Sequence, residues 1–212
     1  MNKYIFVLAL FIFVSNALLA KRVKGFFITQ NNDTANVNFN IPIDLLTGEP
    51  NMEILQWKIK YFDANNKKQT LKPSQAKEVF FTIDSKEVRM VSKLNNLGFI
   101  GSLFGDNSFI FLKIIVDGKM KLYNYYFSQG LPGRYDATKG ITTVCTSYSA
   151  ELFILQKDTA GLFKISWLSF KKDMIDYLSD CPELAKKVEG KTYRRNDMEL
   201  IVNEYNRECT VH

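Results

Sequence analysis

The residues that could do chemistry are few and scattered. The one imidazole, His212, ends the chain, and a Ser-His-Asp or Cys-His system needs an imidazole held by packing, which a chain end rarely provides. Such mechanisms are not expected. The same scarcity argues against a His-based zinc or copper centre, and the three cysteines show no C-x-x-C spacing. Cys145, in Thr142-Thr143-Val144-Cys145-Thr146-Ser147, would be a nucleophile if a cation or helix terminus lowered its pKa, and otherwise is a spare thiol. Asp173 and Asp176 lie three residues apart, a spacing that suits an acid and base pair but equally the wet face of a helix. No catalytic residue, metal ligand or cofactor is assigned.

Two connections hold the residues that could bind something. The run Gly98-Phe99-Ile100-Gly101-Ser102-Leu103-Phe104-Gly105 has the glycines of a phosphate loop but not the Lys-Ser/Thr pair that would complete one. Its unusual content is four large apolar residues, Phe99, Ile100, Leu103 and Phe104, which either fold back into the core or form an exposed patch. The second connection, from Gly130 to Ser147, carries Leu131-Pro132-Gly133-Arg134-Tyr135. Long structured loops are usually functional, so Arg134 and Tyr135 join the candidate binding residues.

The elements that must position these loops are mostly strands. From Lys24 to about Ser166, short apolar runs are punctuated by turn residues. Gly25 to Thr29 leads through Asn31-Asn32-Asp33 into the alternating Val37-Asn38-Phe39-Asn40-Ile41, which reads as a hairpin. Ile54 to Phe62 sets Leu55, Trp57, Ile59 and Tyr61 opposite Ile54, Gln56, Lys58 and Lys60, the pattern of a half-buried strand. Val79 to Ile83 and Val88 to Val91 flank a tight turn at Asp84-Ser85-Lys86. Phe109 to Val116 is apolar apart from Lys113 and reads as the central strand, with Asp117-Gly118 as a hairpin turn into Met120 to Phe127. Leu152 to Leu155 and Leu162 to Ile165 close the β region.

After Trp167 the apolar period changes from two to 3.6. Phe170, Met174 and Leu178 share one helical face; Pro182 suits the first turn of a second helix that Gly190 ends. Asn196 with Glu199 resembles a capping box, and Met198, Ile201, Val202 and Tyr205 form a stripe. Cys209 continues that stripe and Cys181 stands at the mouth of the middle helix. Two antiparallel helices joined near Gly190 would bring Cys181 and Cys209 together, while pairings that use Cys145 remain open.

The compartment is written at the start of the chain. Met1 to Ala20 has a short n-region with Lys3, an apolar stretch from Tyr4 to Val14, and then Ser15-Asn16-Ala17, the plan of a cleavable signal peptide. The stretch is short for a bilayer core of roughly 30 Å, and cleavage is expected after Ala20 or Ala17. No transmembrane span is expected in the mature chain. The formal charge of +6 is carried by dispersed residues and small doublets, which argues against nucleic acid as a partner.

The mature chain resembles a family of small exported proteins of unknown function from Gram-negative bacteria. The likeness rests on Gly25-Phe26-Phe27-Ile28-Thr29 with Asn32-Asp33-Thr34, on Leu71-Lys72-Pro73 before Ala76-Lys77-Glu78, and on Phe111-Leu112-Lys113. Its most specific stretch is the tail, from Phe170-Lys171-Lys172 through Ser179-Asp180-Cys181-Pro182-Glu183-Leu184 to Tyr205-Asn206 and Cys209. The resemblance implies export and one continuous unit, and no activity.

The expected molecule is therefore α+β: residues 1–20 as signal, then one β-rich domain over 21–212. Its body is an antiparallel sheet or barrel-like, followed by helices within 169–179, 182–189 and 196–208. The expected location is periplasmic, outer-membrane associated or extracellular. The expected role is non-catalytic binding of an envelope protein, lipid or glycan. A hydrolase using carboxylates or Cys145, and a β-barrel carrier for an apolar ligand, are the alternatives.

Overall fold

The computed structural model describes residues 20–44, 47–97, 108–129, 134–136, 141–143 and 148–209. Ten strands form a single sheet with every neighbouring pair antiparallel. In chain order they are β1 (Ala20–Thr29), β2 (Thr34–Pro42), β3 (Ile59–Phe62), β4 (Lys68–Leu71), β5 (Ala76–Ile83), β6 (Lys86–Leu94), β7 (Phe109–Val116), β8 (Met120–Gln129), β11 (Tyr148–Lys157) and β12 (Phe163–Lys164). A separate hairpin, β9 (Arg134–Asp136) with β10 (Ile141–Thr143), interrupts the connection between β8 and β11. The order across the sheet is β12-β11-β8-β7-β6-β5-β1-β2-β3-β4. It is an open sheet with β12 and β4 at its edges.

The hairpins follow from their turns. Asp84 and Ser85 both have positive φ, 48° and 63°, the backbone of a two-residue turn whose twist matches that of the strands it joins. The Val37-to-Ile41 strand pairs with Gly25 and its neighbours as the alternation predicts, with Gly25 opposite Val37 and Val23 opposite Phe39. Gly25 is required there. A Cβ on it would stand 2.3 Å from the Phe80 carbonyl oxygen and under 3 Å from Phe39 and Phe81.

One stretch differs from the strand expected over Ile54 to Phe62. Helix α1 (Met52–Trp57) comes first, and the strand begins only at Ile59. The Asn51 side chain accepts the Ile54 N–H at 3.1 Å, capping the helix, and Met52, Leu55 and Gln56 bury at helical spacing. Alternation over this segment coincides with a helical stripe, and the cap decides between them.

The interior is organised in three clusters. The first gathers Val23 and Phe27 from β1, Phe39 and Ile41 from β2, Ile59, Leu71, Val79, Phe81, Met90 and Phe111 from successive strands, and Met52 and Leu55 from α1. With Tyr126 of β8, eight strands share this cluster with a helix, which requires the sheet to curl around it. The space inside the curl is filled by fully buried side chains such as Phe39, Phe81, Leu55 and Met90.

The second cluster lies where helices cover the same sheet face beyond β7. Helix α2 (Phe170–Tyr177), α3 (Pro182–Glu189) and α4 (Met198–Glu208) contribute Met174, Leu178, Leu184, Val188, Met198, Ile201, Val202 and Tyr205 against Val116, Leu122 and Leu155. Cys181 and Cys209 are joined, with Cα atoms 5.6 Å apart. Helix α4 starts one residue later than the Asn196 reading, after a 3₁₀ turn over Arg195–Asp197, in which the Asp197 carboxylate accepts the Arg194 N–H at 2.8 Å. The third cluster, Ile110, Leu112, Tyr123, Tyr125 and Ile154, occupies the opposite face of β7, β8 and β11, under Trp57, Leu97 and Leu162.

Two side-chain amides hold helices to β8. Gln56 of α1 accepts the Tyr126 N–H at 2.6 Å and donates to the Tyr126 carbonyl at 2.7 Å. Asn206 of α4 does the same at Met120, at 2.7 and 2.8 Å. Each amide replaces a strand neighbour and satisfies one donor and one acceptor of the backbone. No helix among the described residues is long and apolar enough to cross a membrane.

Candidate functional site

The sequence places its binding candidates in the two long connections, and the structure does not bring them together. Phe99, Ile100, Leu103 and Phe104 lie outside the described residues, as does Cys145. Arg134 and Tyr135 stand in β9, opposite Thr143 and Thr142 of β10, and only their backbone is described. Asp173 and Asp176 separate in role. Asp173 accepts from the Ser169 hydroxyl at 2.7 Å and the Ser166 N–H at 3.3 Å, tying the turn before α2, while Asp176 is exposed.

The described surface instead concentrates polar chemistry on the outer face of β1 to β5. In β2, inward Val37, Phe39 and Ile41 alternate with outward Asn36, Asn38 and Asn40. Residues two apart on a strand share a face and stand about 6.7 Å apart, so the three asparagines make a ladder. Cross-strand register extends it into rows. Lys24, Asn38, Phe62 and Lys68 form one row across four strands; Arg22, Asn40, Lys60 and Thr70 form the next. A third runs through Asn36, Phe26, Phe80 and Arg89.

Together the rows bring cations, amides and aromatic rings onto one face. Phe26 and Phe80 stack with ring centroids 5.2 Å apart and planes within 22°, a flat, half-buried apolar platform. The Arg22 guanidinium lies 3.8 Å from the centre of the Phe62 ring, a cation–π contact, and its Nη1 donates to the Asn66 side-chain oxygen at 3.3 Å. Two shallow grooves flank the ladder. One, of ≈ 450 Å³, is lined by Lys24, Phe26, Asn36, Asn38 and Phe80; the other, of ≈ 370 Å³, by Asn40, Ile54, Lys58, Lys60 and Lys68.

The electrostatics are one-sided. Lys24, Lys58, Lys60 and Lys68 are exposed and make no ion pair among the described residues. Asp63, at the end of β3, is taken up by its own turn. Hydrogen bonds from the Gln69 side chain and the Lys67 and Asn65 N–H groups hold its carboxyl below the usual range. Farther along the same face the charges cancel. Arg89 bonds Glu78 and Asp117, and Asp117 also receives Lys121. The hydrogen bond to Glu78 raises the Arg89 guanidinium above its ordinary value.

Four uncompensated ammonium groups, three amides offering donors and acceptors, and aromatic faces together suit a ligand with negative charge, hydroxyls and flat apolar surfaces. Among the described residues of this face no nucleophile has a base beside it. The signal in the sequence was the Asn-x-Asn-x-Asn alternation itself, which marks a strand but does not say that its outer face stays uncovered. Compared with protein-family models, curated proteins and solved structures, the chain shows no match, so the reading of this face rests on its own chemistry.

Proposed function

We propose that the protein is an exported, non-catalytic binding module whose outer β1–β5 face takes an acidic polysaccharide. The observation that carries this is the ladder of Asn36, Asn38 and Asn40 between unpaired lysines and the rings of Phe26, Phe62 and Phe80. Amides bond sugar hydroxyls, ammonium groups attract carboxylates or sulfates, and aromatic faces receive the apolar side of a pyranose ring. Export is supported by the Cys181–Cys209 bond, which belongs to an oxidising compartment. It is supported also by the signal-like first twenty residues and the resemblance to small exported proteins.

The test is a binding titration of the mature chain with polygalacturonate, a sulfated glycan, neutral dextran and duplex DNA at two salt concentrations. The acidic glycans are expected to bind, more weakly at high salt. Lys60→Glu with Lys68→Glu should weaken binding by about tenfold or more, and Asn38→Ala by about fivefold, one hydrogen bond's worth. Equal binding of dextran, tighter binding of DNA, or variants indistinguishable from the parent would overturn the proposal.

A further inference from the structure

A second exposed feature lies outside the ladder, at the turn between β12 and α2. Trp167 is 70 % and Leu168 95 % exposed, the two most exposed large apolar side chains among the described residues. They are not there through looseness. Ile165, just before them, is fully buried, and Phe170, just after, packs against the helical cluster. The Asp173 carboxylate closes the turn from below through Ser166 and Ser169. Both anchors hold the turn in shape, so little conformational freedom remains to be lost when the two side chains enter another phase.

The surroundings say which phase. The half-buried Arg195 guanidinium lies 4.2 Å from the Trp167 ring centre and 5.3 Å from that of Phe153, with Nη2 donating to the Glu151 carbonyl at 3.5 Å, and Lys171 and Lys172 stand exposed on the next turn beside half-buried Ile175. None of these three cations makes an ion pair among the described residues. Asp176 is the single acid lining the same patch. An apolar tip of Trp and Leu inside a collar of cations matches a bilayer interface, where indole rings sit at headgroup depth and basic residues meet anionic lipid. We infer that the Trp167-Leu168 turn docks the protein reversibly on an anionic membrane surface, with Lys171, Lys172 and Arg195 on the headgroups. Two side chains are too little apolar area for a permanent anchor, and the cations supply the second of the two contributions that peripheral binding needs.

The experiment is co-sedimentation of the mature chain with phosphatidylcholine vesicles, with and without phosphatidylglycerol. A Trp57→Phe form leaves Trp167 as the only indole fluorophore, since the chain has 2 tryptophans. Binding is expected only with phosphatidylglycerol, accompanied by a blue shift of Trp167 emission. Leu168→Asp should weaken it by roughly tenfold, and Lys171→Glu with Lys172→Glu by at least about tenfold. Leu168, Lys171 and Lys172 are exposed, Trp57→Phe keeps an aromatic ring over the third cluster, and circular dichroism checks that each variant keeps its fold. Absence of binding, equal binding to neutral vesicles, or an undiminished Leu168→Asp variant would overturn the inference. So would a concentration-dependent dimer that Leu168→Asp abolishes, since the turn would then be covered by a second copy.

Discussion

The two halves of the sheet treat their faces differently. From β1 to β5 the inner face closes on the first cluster and the outer face is wet. Along β7, β8 and β11 both faces are covered, by the helices on one side and by Trp57, Leu97 and Leu162 on the other. The sequences record the contrast. β2 alternates, with Asn at three successive outward positions, whereas β7 is Phe-Ile-Phe-Leu-Lys-Ile-Ile-Val, the composition of a strand buried on two sides. A strand with one free face can change its outward residues at little cost to the core, which is why the ladder of amides and lysines sits in the first half.

The sharpest way to break that comparison is truncation on either face of the same hairpin. Phe39→Ala, in the first cluster, should cost about 4 kcal/mol, and Phe26→Ala, on the outer platform, under about 1 kcal/mol. Urea unfolding of the two variants measures both, and similar losses would mean that the outer face is packed after all. Next in size is the disulfide. Cys181 and Cys209 are 28 residues apart, and the Cys181→Ala, Cys209→Ala form should lose about 3 kcal/mol. Most of that loss belongs to the helical side, so hydrogen exchange should quicken in α2 to α4 while β1, β2 and β5 keep their protection.

Smaller is the effect of Gln56→Leu, about 2 kcal/mol, because the N–H and carbonyl of Tyr126 lose both partners inside the protein. Gln56→Glu should recover the N–H acceptor only. The smallest effect is a pH dependence confined to the helical side. Burial works to raise the Asp180 carboxyl, but hydrogen bonds from Lys157 and Tyr205 outweigh it, and the group lies below its ordinary value. A carboxyl lowered in the folded state stabilises at pH above its unfolded value of about 3.9, and that contribution disappears as pH falls through the folded value. Asp180 is half exposed, so the loss should be about half a kcal/mol. Thermal unfolding from pH 5 downward, compared with Asp180→Asn, isolates it.

Most of the fold was legible because local signals agreed. The Asp84-Ser85 turn, the Asp117-Gly118 hairpin, the Met198 to Tyr205 stripe and Pro182 at a helix start each point to the element that forms. The Cys181–Cys209 pairing followed from those helices. Of the strand expected over Ile54 to Phe62, the part from Ile59 forms and the part from Ile54 to Trp57 is helix; the Asn51 cap and the docking of Gln56 on β8 decide for the helix. The candidate site was hidden for another reason. Asn36, Asn38 and Asn40 show in the sequence as the polar side of a strand, but their rows with Lys24, Phe62, Lys60 and Lys68 join residues from three hairpin partners. The register of β2 on β3 is set across the connection that carries α1, with no short turn to announce it. The exposure of Trp167 and Leu168 was equally hidden, since adjacent apolar residues at the end of a strand look like core.

The paired amides on β8 have a consequence for how the chain assembles. Gln56 and Tyr126 are 70 residues apart, and Asn206 and Met120 are 86 apart. These contacts close two long loops, one from each direction along the sequence, onto the first residue and a later residue of a single strand. The N–H groups of Met120 and Tyr126 therefore lie in the sheet but answer to helices. Their exchange with solvent deuterium should follow the undocking of α4 and α1, while the amides between them follow the opening of the sheet. Strand β8 thus carries, at Tyr126, at Met120 and along the residues between them, separate clocks for the closing of the amino-terminal half, the closing of the carboxy-terminal half and the formation of the sheet that joins them.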